Sequence, residues 1–142
     1  MPEAKRTMNI KARPSAVWKW FESQNALRRW LRPDLEIDLQ VGGAYSMTGS
    51  DEETTITGTV LELIPEGGIV LSWFEENQGW EHPARLVLKL EPTESGTQVT
   101  LSHDGLAGIG NDDWERTLGA YERGADKHKV LEGLAALVEA GD

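Results

Sequence analysis

The chain has 142 residues, 39% of them hydrophobic, which is enough for the core of one ordinary domain and excludes wholesale disorder. Its 14 basic and 24 acidic residues leave a net charge of −10, a field that repels phosphate backbones and anionic lipid, so neither nucleic acid nor a membrane is an expected partner. With no cysteine there is no disulfide framework, thiolate nucleophile or Cys-based zinc site, and with no membrane-length apolar run and no apolar signal core in MPEAKRT the expectation is a cytoplasmic protein.

Lys5 to Ala12 alternates, with Met8, Ile10 and Ala12 on one face, and reads as a half-buried first strand. Pro14 cannot donate to a ladder and ends it. Ser15, or the turn before it, caps a helix whose apolar face is Val17, Trp18 and Phe21, with Trp20 half-exposed on another side. After a break at Ser23 to Asn25, Asn25 caps a second short helix carrying Leu27, Trp30 and Leu31, and Pro33 ends it. Leu35, Ile37, Leu39 and Val41 alternate with Asp34, Glu36, Asp38 and Gln40, the clearest period-2 segment in the chain.

Gly42-Gly43 turns this segment into a hairpin with Tyr45 and Met47. Thr54 to Ile64 is a long β-branched strand, and Gly58 inside it marks a bulge, a bend or a close approach. Pro65-Glu66-Gly67-Gly68 is a turn before the strand Ile69 to Phe74. Ala84 to Leu90 is the next strand, Glu94-Ser95-Gly96 turns the chain, and Thr97 to His103 follows with Val99, Leu101 and His103 in phase. Asn111 or Asp112 caps a helix beginning near Asp113. Trp114, Leu118, Tyr121 and Ala125 share one helical face, whereas Val130, Leu131, Leu134, Leu137 and Val138 share another. That change of face predicts a kink or break near Gly124, and Gly141 reads as the helix stop.

Strands joined by short turns, without βαβ alternation, make an α+β domain over residues 1–142. The expected architecture is a curved antiparallel sheet of six to seven strands, two short helices after strand 1, and a long C-terminal helix across the concave face.

Trp30, Tyr45, Met47, Trp73 and Trp114 are the pocket-lining candidates, because amphipathic aromatics around a cavity suit a flat or apolar ligand. Plain core packing is the alternative for each. Tyr121 and His128 stand where a helix could supply hydrogen bonds, or His128 is simply exposed. His103 should face the helix side of the sheet, either as a ligand-binding or acid–base histidine or as one satisfied within the protein at a strand end. Asp104 is adjacent on the strand and points to the opposite face, so the two form no dyad. His82, His103 and His128 are scattered without metal-ligand spacing, and no cofactor is implied. Arg28, Arg29 and Arg32 form a local basic cluster beside Trp30, and Glu75-Glu76 is a solvated acidic pair.

Ala12-Arg13-Pro14-Ser15-Ala16-Val17-Trp18, the double glycine of Gly42-Gly43-Ala44-Tyr45, Gly58-Thr59-Val60, Ile64-Pro65, Leu71-Ser72-Trp73, Gly96-Thr97, Leu101-Ser102-His103 and Val130-Leu131-Glu132-Gly133-Leu134 occur in that order. In that order they resemble the activator-of-heat-shock-protein-90-ATPase-like family, within the START and birch-pollen-allergen-like superfamily of helix-grip folds. Where family members often carry Trp early in the final helix, this chain reads Ala125-Asp126-Lys127-His128. The resemblance implies a small apolar or aromatic ligand held between sheet and helix; the protein is expected as a monomer or homodimer, since an exposed edge strand could support a dimer but nothing in the sequence demands one. It also implies two alternatives: a chaperone partner in a stress response, and a cyclase- or hydrolase-type enzyme using His103 or Tyr121.

Overall fold

The computed structural model describes residues 3–48, 54–76, 80–105, 109–110, 116 and 130–141. Seven strands form one antiparallel sheet: β1 (Glu3–Ile10), β2 (Glu36–Ile37), β3 (Ala44–Thr48), β4 (Thr55–Ile64), β5 (Gly68–Glu75), β6 (Ala84–Thr93) and β7 (Gly96–Asp104). Their spatial order is β1-β7-β6-β5-β4-β3-β2, so the first strand closes against the last and every later neighbour is sequential. Between β1 and β2 lie α1 (Pro14–Trp18), a 3₁₀ turn (Lys19–Phe21) and α2 (Gln24–Arg28); α3 (Val130–Gly141) follows the sheet. This is the α+β architecture expected from the order of elements, in the helix-grip arrangement that the family resemblance implies. The expected helix near Asp113 and the kink at Gly124 lie outside the described residues, as does the stretch from Ala125 to His128.

The period-2 segments behave as their patterns require. On β6, Ala84, Leu86, Leu88 and Leu90 are buried while Arg85 and Lys89 are exposed. On β7, Thr97, Val99, Leu101 and His103 are buried on the same side, with Leu86 paired to His103 and Leu88 to Leu101. This inward face is the one α3 covers. Leu131, Leu134 and Val138 turn into the core. Arg6 on β1, paired with Leu101 of β7, donates to Glu132 of α3, and the Lys11 main-chain N–H donates to Glu139, two turns further along the same helical face, at 3.0 Å. β4 shifts register between Val60 and Glu62, a bulge that adds bend to the sheet.

Three local points are decided or changed. The first helix starts from the turn, one of the two alternatives: Arg13 is the extended N-cap residue, without a side-chain cap bond, and Pro14 occupies the first helical position, where its missing N–H costs nothing. The second helix is capped by Ser23 and not Asn25; Ser23 Oγ accepts from Ala26 N–H at 3.1 Å. Ser23→Ala is therefore expected to cost about 1 kcal/mol in urea denaturation, with Asn25→Ala, lacking that bond, close to neutral. A Ser23→Ala protein as stable as the parent would count against this assignment. The third change is the segment Leu35 to Val41, of which only Glu36–Ile37 pairs with β3. Beyond it Gln40 N–H turns back to the Asp38 carbonyl and Gly43 N–H to the Gln40 carbonyl, each at 2.8 Å, and a Cβ on Gly43 would meet Asp38 O at 2.1 Å. The tight turn takes the donors a ladder would need, and it leaves Val41 65% exposed.

Among the described residues no helix is long and apolar enough to cross a membrane.

Candidate functional site

Of the residues singled out in the sequence, Tyr45, Met47, Trp73 and His103 are all buried on the inward face of the sheet. They come from three strands that are not neighbours. Tyr45 is on β3, Trp73 on β5 and His103 on β7, with β4 and β6 between them. What brings the rings together is the size of the residues in between. Trp73 is paired with Ala84 on β6, whose methyl occupies little space, and the indole reaches the His103 imidazole with ring centroids 4.6 Å apart at 79°, edge against face. Tyr45 is paired with Gly58 on β4. Its ring lies against that glycine, and its hydroxyl donates to the main-chain carbonyl of Ser72, the residue before Trp73. Gly58 is thus the close approach its place inside a strand suggested.

The electrostatics of this row are those of a dry wall. Burial holds the His103 imidazole at about 4, well below its ordinary value, only partly opposed by the Asp104 carboxylate. The imidazole is therefore neutral at neutral pH. Burial also pushes the Tyr45 hydroxyl above its ordinary range, so the phenol stays protonated. Asp104 points to the other face, as strand alternation requires, and takes Arg85 through two 2.7 Å contacts to its two carboxylate oxygens. It forms no dyad with His103.

Trp30 does not join this row. Its indole N–H donates to the Trp20 carbonyl at 2.9 Å and its ring packs on Phe21 at 5.0 Å, with Trp18 stacked on Phe21 at 5.1 Å. That aromatic stack holds α1, the 3₁₀ turn and α2 together, which is the core-packing alternative. The arginines beside it serve the same end. Arg28 Nε donates to Leu35 O and Arg32 Nε to Thr48 O, both at 2.6 Å, while Arg29 sits 5.5 Å from the Trp20 ring. The basic cluster pins loops. Trp114 and Tyr121 lie outside the described residues.

Trp80 was missed in the sequence because it stands at the edge of a polar loop with no periodic neighbours. It is buried and meets Phe74 edge-on at 6.1 Å. The buried Ile109 straps this corner, its carbonyl accepting from Glu81 N–H at 2.7 Å and His82 N–H at 3.1 Å. Glu76, half of the acidic pair, accepts from the Thr57 hydroxyl at 2.8 Å. Among the described residues no group of three or more His, Asp or Glu is placed to hold a metal ion.

Comparison with known proteins now bears on this geometry. The family model described as Activator of Hsp90 ATPase homolog 1-like protein matches residues 11–139. None of the curated proteins compared with the chain matches it. Among solved structures, a Mesorhizobium loti protein is similar at a TM-score of 0.79 and 18% identity, over 99% of this chain and 98% of that one. The Aha1 dimer from Colwellia psychrerythraea is similar at 0.71 and 17% identity, over 100% of this chain and 99% of its own. A Chromobacterium violaceum protein is similar at 0.67 and 24% identity, over 97% of each chain. At these identities the structural likeness concerns the fold.

Proposed function

The chain belongs to the Activator of Hsp90 ATPase homolog 1-like family, and from that premise we propose that it binds a small apolar or aromatic molecule between the sheet and the C-terminal helix. The observation that carries this reading is the row of Tyr45, Trp73 and His103 on the inward face, with Met47 beside it on β3. Three rings with polar tips are gathered across five strands over Gly58 and Ala84, where aliphatic side chains would have filled the core as well. Trp114 and Tyr121 remain proposed members of the same wall from the helix side. The same reading makes the protein a cytoplasmic monomer or homodimer that needs no cofactor.

The enzyme alternative draws no support from the environment of His103. A general base works best with a pKa near the working pH, and an imidazole held near 4 accepts protons poorly there.

Native mass spectrometry of freshly purified protein, compared with the denatured mass, tests the proposal. A discrete extra mass that leaves on denaturation is the expected result. A clean apo mass, with no uptake of a hydrophobic probe, would sink it. The family description favours a second reading in that case, an interaction with a chaperone ATPase. Stimulation of ATP hydrolysis by a chaperone from the same cell is its test, and no stimulation would exclude it.

A further inference from the structure

We propose that the inward face accepts an uncharged aromatic molecule and rejects the carboxylate and ammonium analogues of the same ring, an inference that rests on the binding reading above. The argument is a census of polar side chains on that face among the described residues. Arg6 is answered by Glu132, which reaches across from α3. The Thr97 hydroxyl donates to the Ala12 carbonyl at 2.6 Å, and the Tyr45 hydroxyl to the Ser72 carbonyl. Glu75, paired with Ile56 at the end of the Met47 row, has its own polar interaction. His103 stands edge to face with Trp73 and is neutral at neutral pH. Everything else the sheet turns inward between these groups is Ala84, Leu86, Leu88, Leu71, Val60 or a similar apolar side chain.

Such a wall can meet a ring. Indole, imidazole and phenol offer both edges and faces, and a neutral imidazole carries one donor and one acceptor. It cannot meet an ion. The charged groups on it already interact within the protein, so an anionic or cationic ligand would give up its hydration and find no unengaged opposite charge in return.

The test uses three probes built on one ring: 2-naphthol, 2-naphthoate and 2-naphthylmethylammonium, titrated at pH 7.5. Calorimetry reads affinity. The indole N–H resonance of Trp73, assigned with Trp73→Phe, reads location. The expected result is binding of 2-naphthol at least tenfold tighter than either ion, with movement of the Trp73 resonance. An ion that binds as tightly as the naphthol and moves that resonance overturns the inference and leaves the binding reading standing. Failure of all three, together with an empty native mass, overturns the binding reading and takes the inference with it.

Discussion

Gly58→Ala is expected to destabilise the protein by about 3 kcal/mol, the upper part of the range for overpacking a filled core, while Gly133→Ala stabilises it. A Cβ at position 58 would stand 2.2 Å from the Ser72 carbonyl oxygen, 2.7 Å from Ser72 Oγ and 2.7 Å from Tyr45 Cε2. Two of these neighbours cannot move independently. The Ser72 carbonyl is main chain and accepts from Tyr45, and Ser72 Oγ accepts from Thr59 N–H at 2.8 Å. Relief therefore requires the β4–β5 ladder to part locally and the Tyr45 ring to leave its seat. At Gly133 the opposite holds. It lies inside α3, exposed, with nothing within 4 Å of an added Cβ. Alanine there loses less backbone entropy on folding, for a gain of roughly 0.5–1 kcal/mol. Guanidinium denaturation of the two variants gives both signs in one experiment. A loss below about 1 kcal/mol at position 58 would show that Gly58 is not the seat of Tyr45.

Acidification between pH 6.5 and pH 4 is expected to remove about 3 kcal/mol of stability through His103 alone, at roughly 1.4 kcal/mol per pH unit. The folded imidazole is held at about 4 against an ordinary value of 6.5. In that interval the unfolded chain binds the proton and the folded one does not, so stability increases with pH. The contribution is complete above about pH 6.5, falls as pH drops, and levels off below about pH 4. The Asp34 carboxyl, lowered by hydrogen bonding from Thr48, acts in a different window: its contribution is present above 3.8 and is lost only as pH falls further. The two can be separated. Urea midpoints of the parent and of His103→Leu, measured every half unit from pH 7.5 to 4, should differ in slope between pH 6.5 and 4 and run nearly parallel above that interval. The variant should be flatter by most of the 3 kcal/mol. Parallel curves would mean that His103 titrates normally and is not held in a dry wall.

Much of the scaffold was legible because one face of the sheet is buried and the other wet. Alternation in β6 and β7 is the direct imprint of that asymmetry, and Leu131, Leu134 and Val138 mark the buried stripe of α3 in the same way. Even the inward direction of His103 followed from its phase with Val99 and Leu101. Local hydrogen bonding was less legible. Period 2 extends through Leu39 and Val41, yet the ladder stops at Ile37, because Gln40 and Gly43 spend their N–H groups on a turn. Ser23 and Asn25 are both good caps, and only the path of the chain selects Ser23.

The candidate site belongs to tertiary structure almost entirely. Trp30 and Trp73 are both pocket-lining candidates in the sequence, each an aromatic in phase with apolar residues of its own element. One is consumed in a stack with Phe21 that fixes the short helices, and the other is delivered to His103. That difference rests on the registers of β3 against β4, β5 against β6 and β6 against β7, and on the small size of Gly58 and Ala84 at the positions between the rings. By itself the sequence determined which side chains face the core, because burial repeats along the chain with the period of its own backbone. Which of them meet was decided by strand register and side-chain volume across the sheet, since contacts between residues distant in sequence leave no period behind.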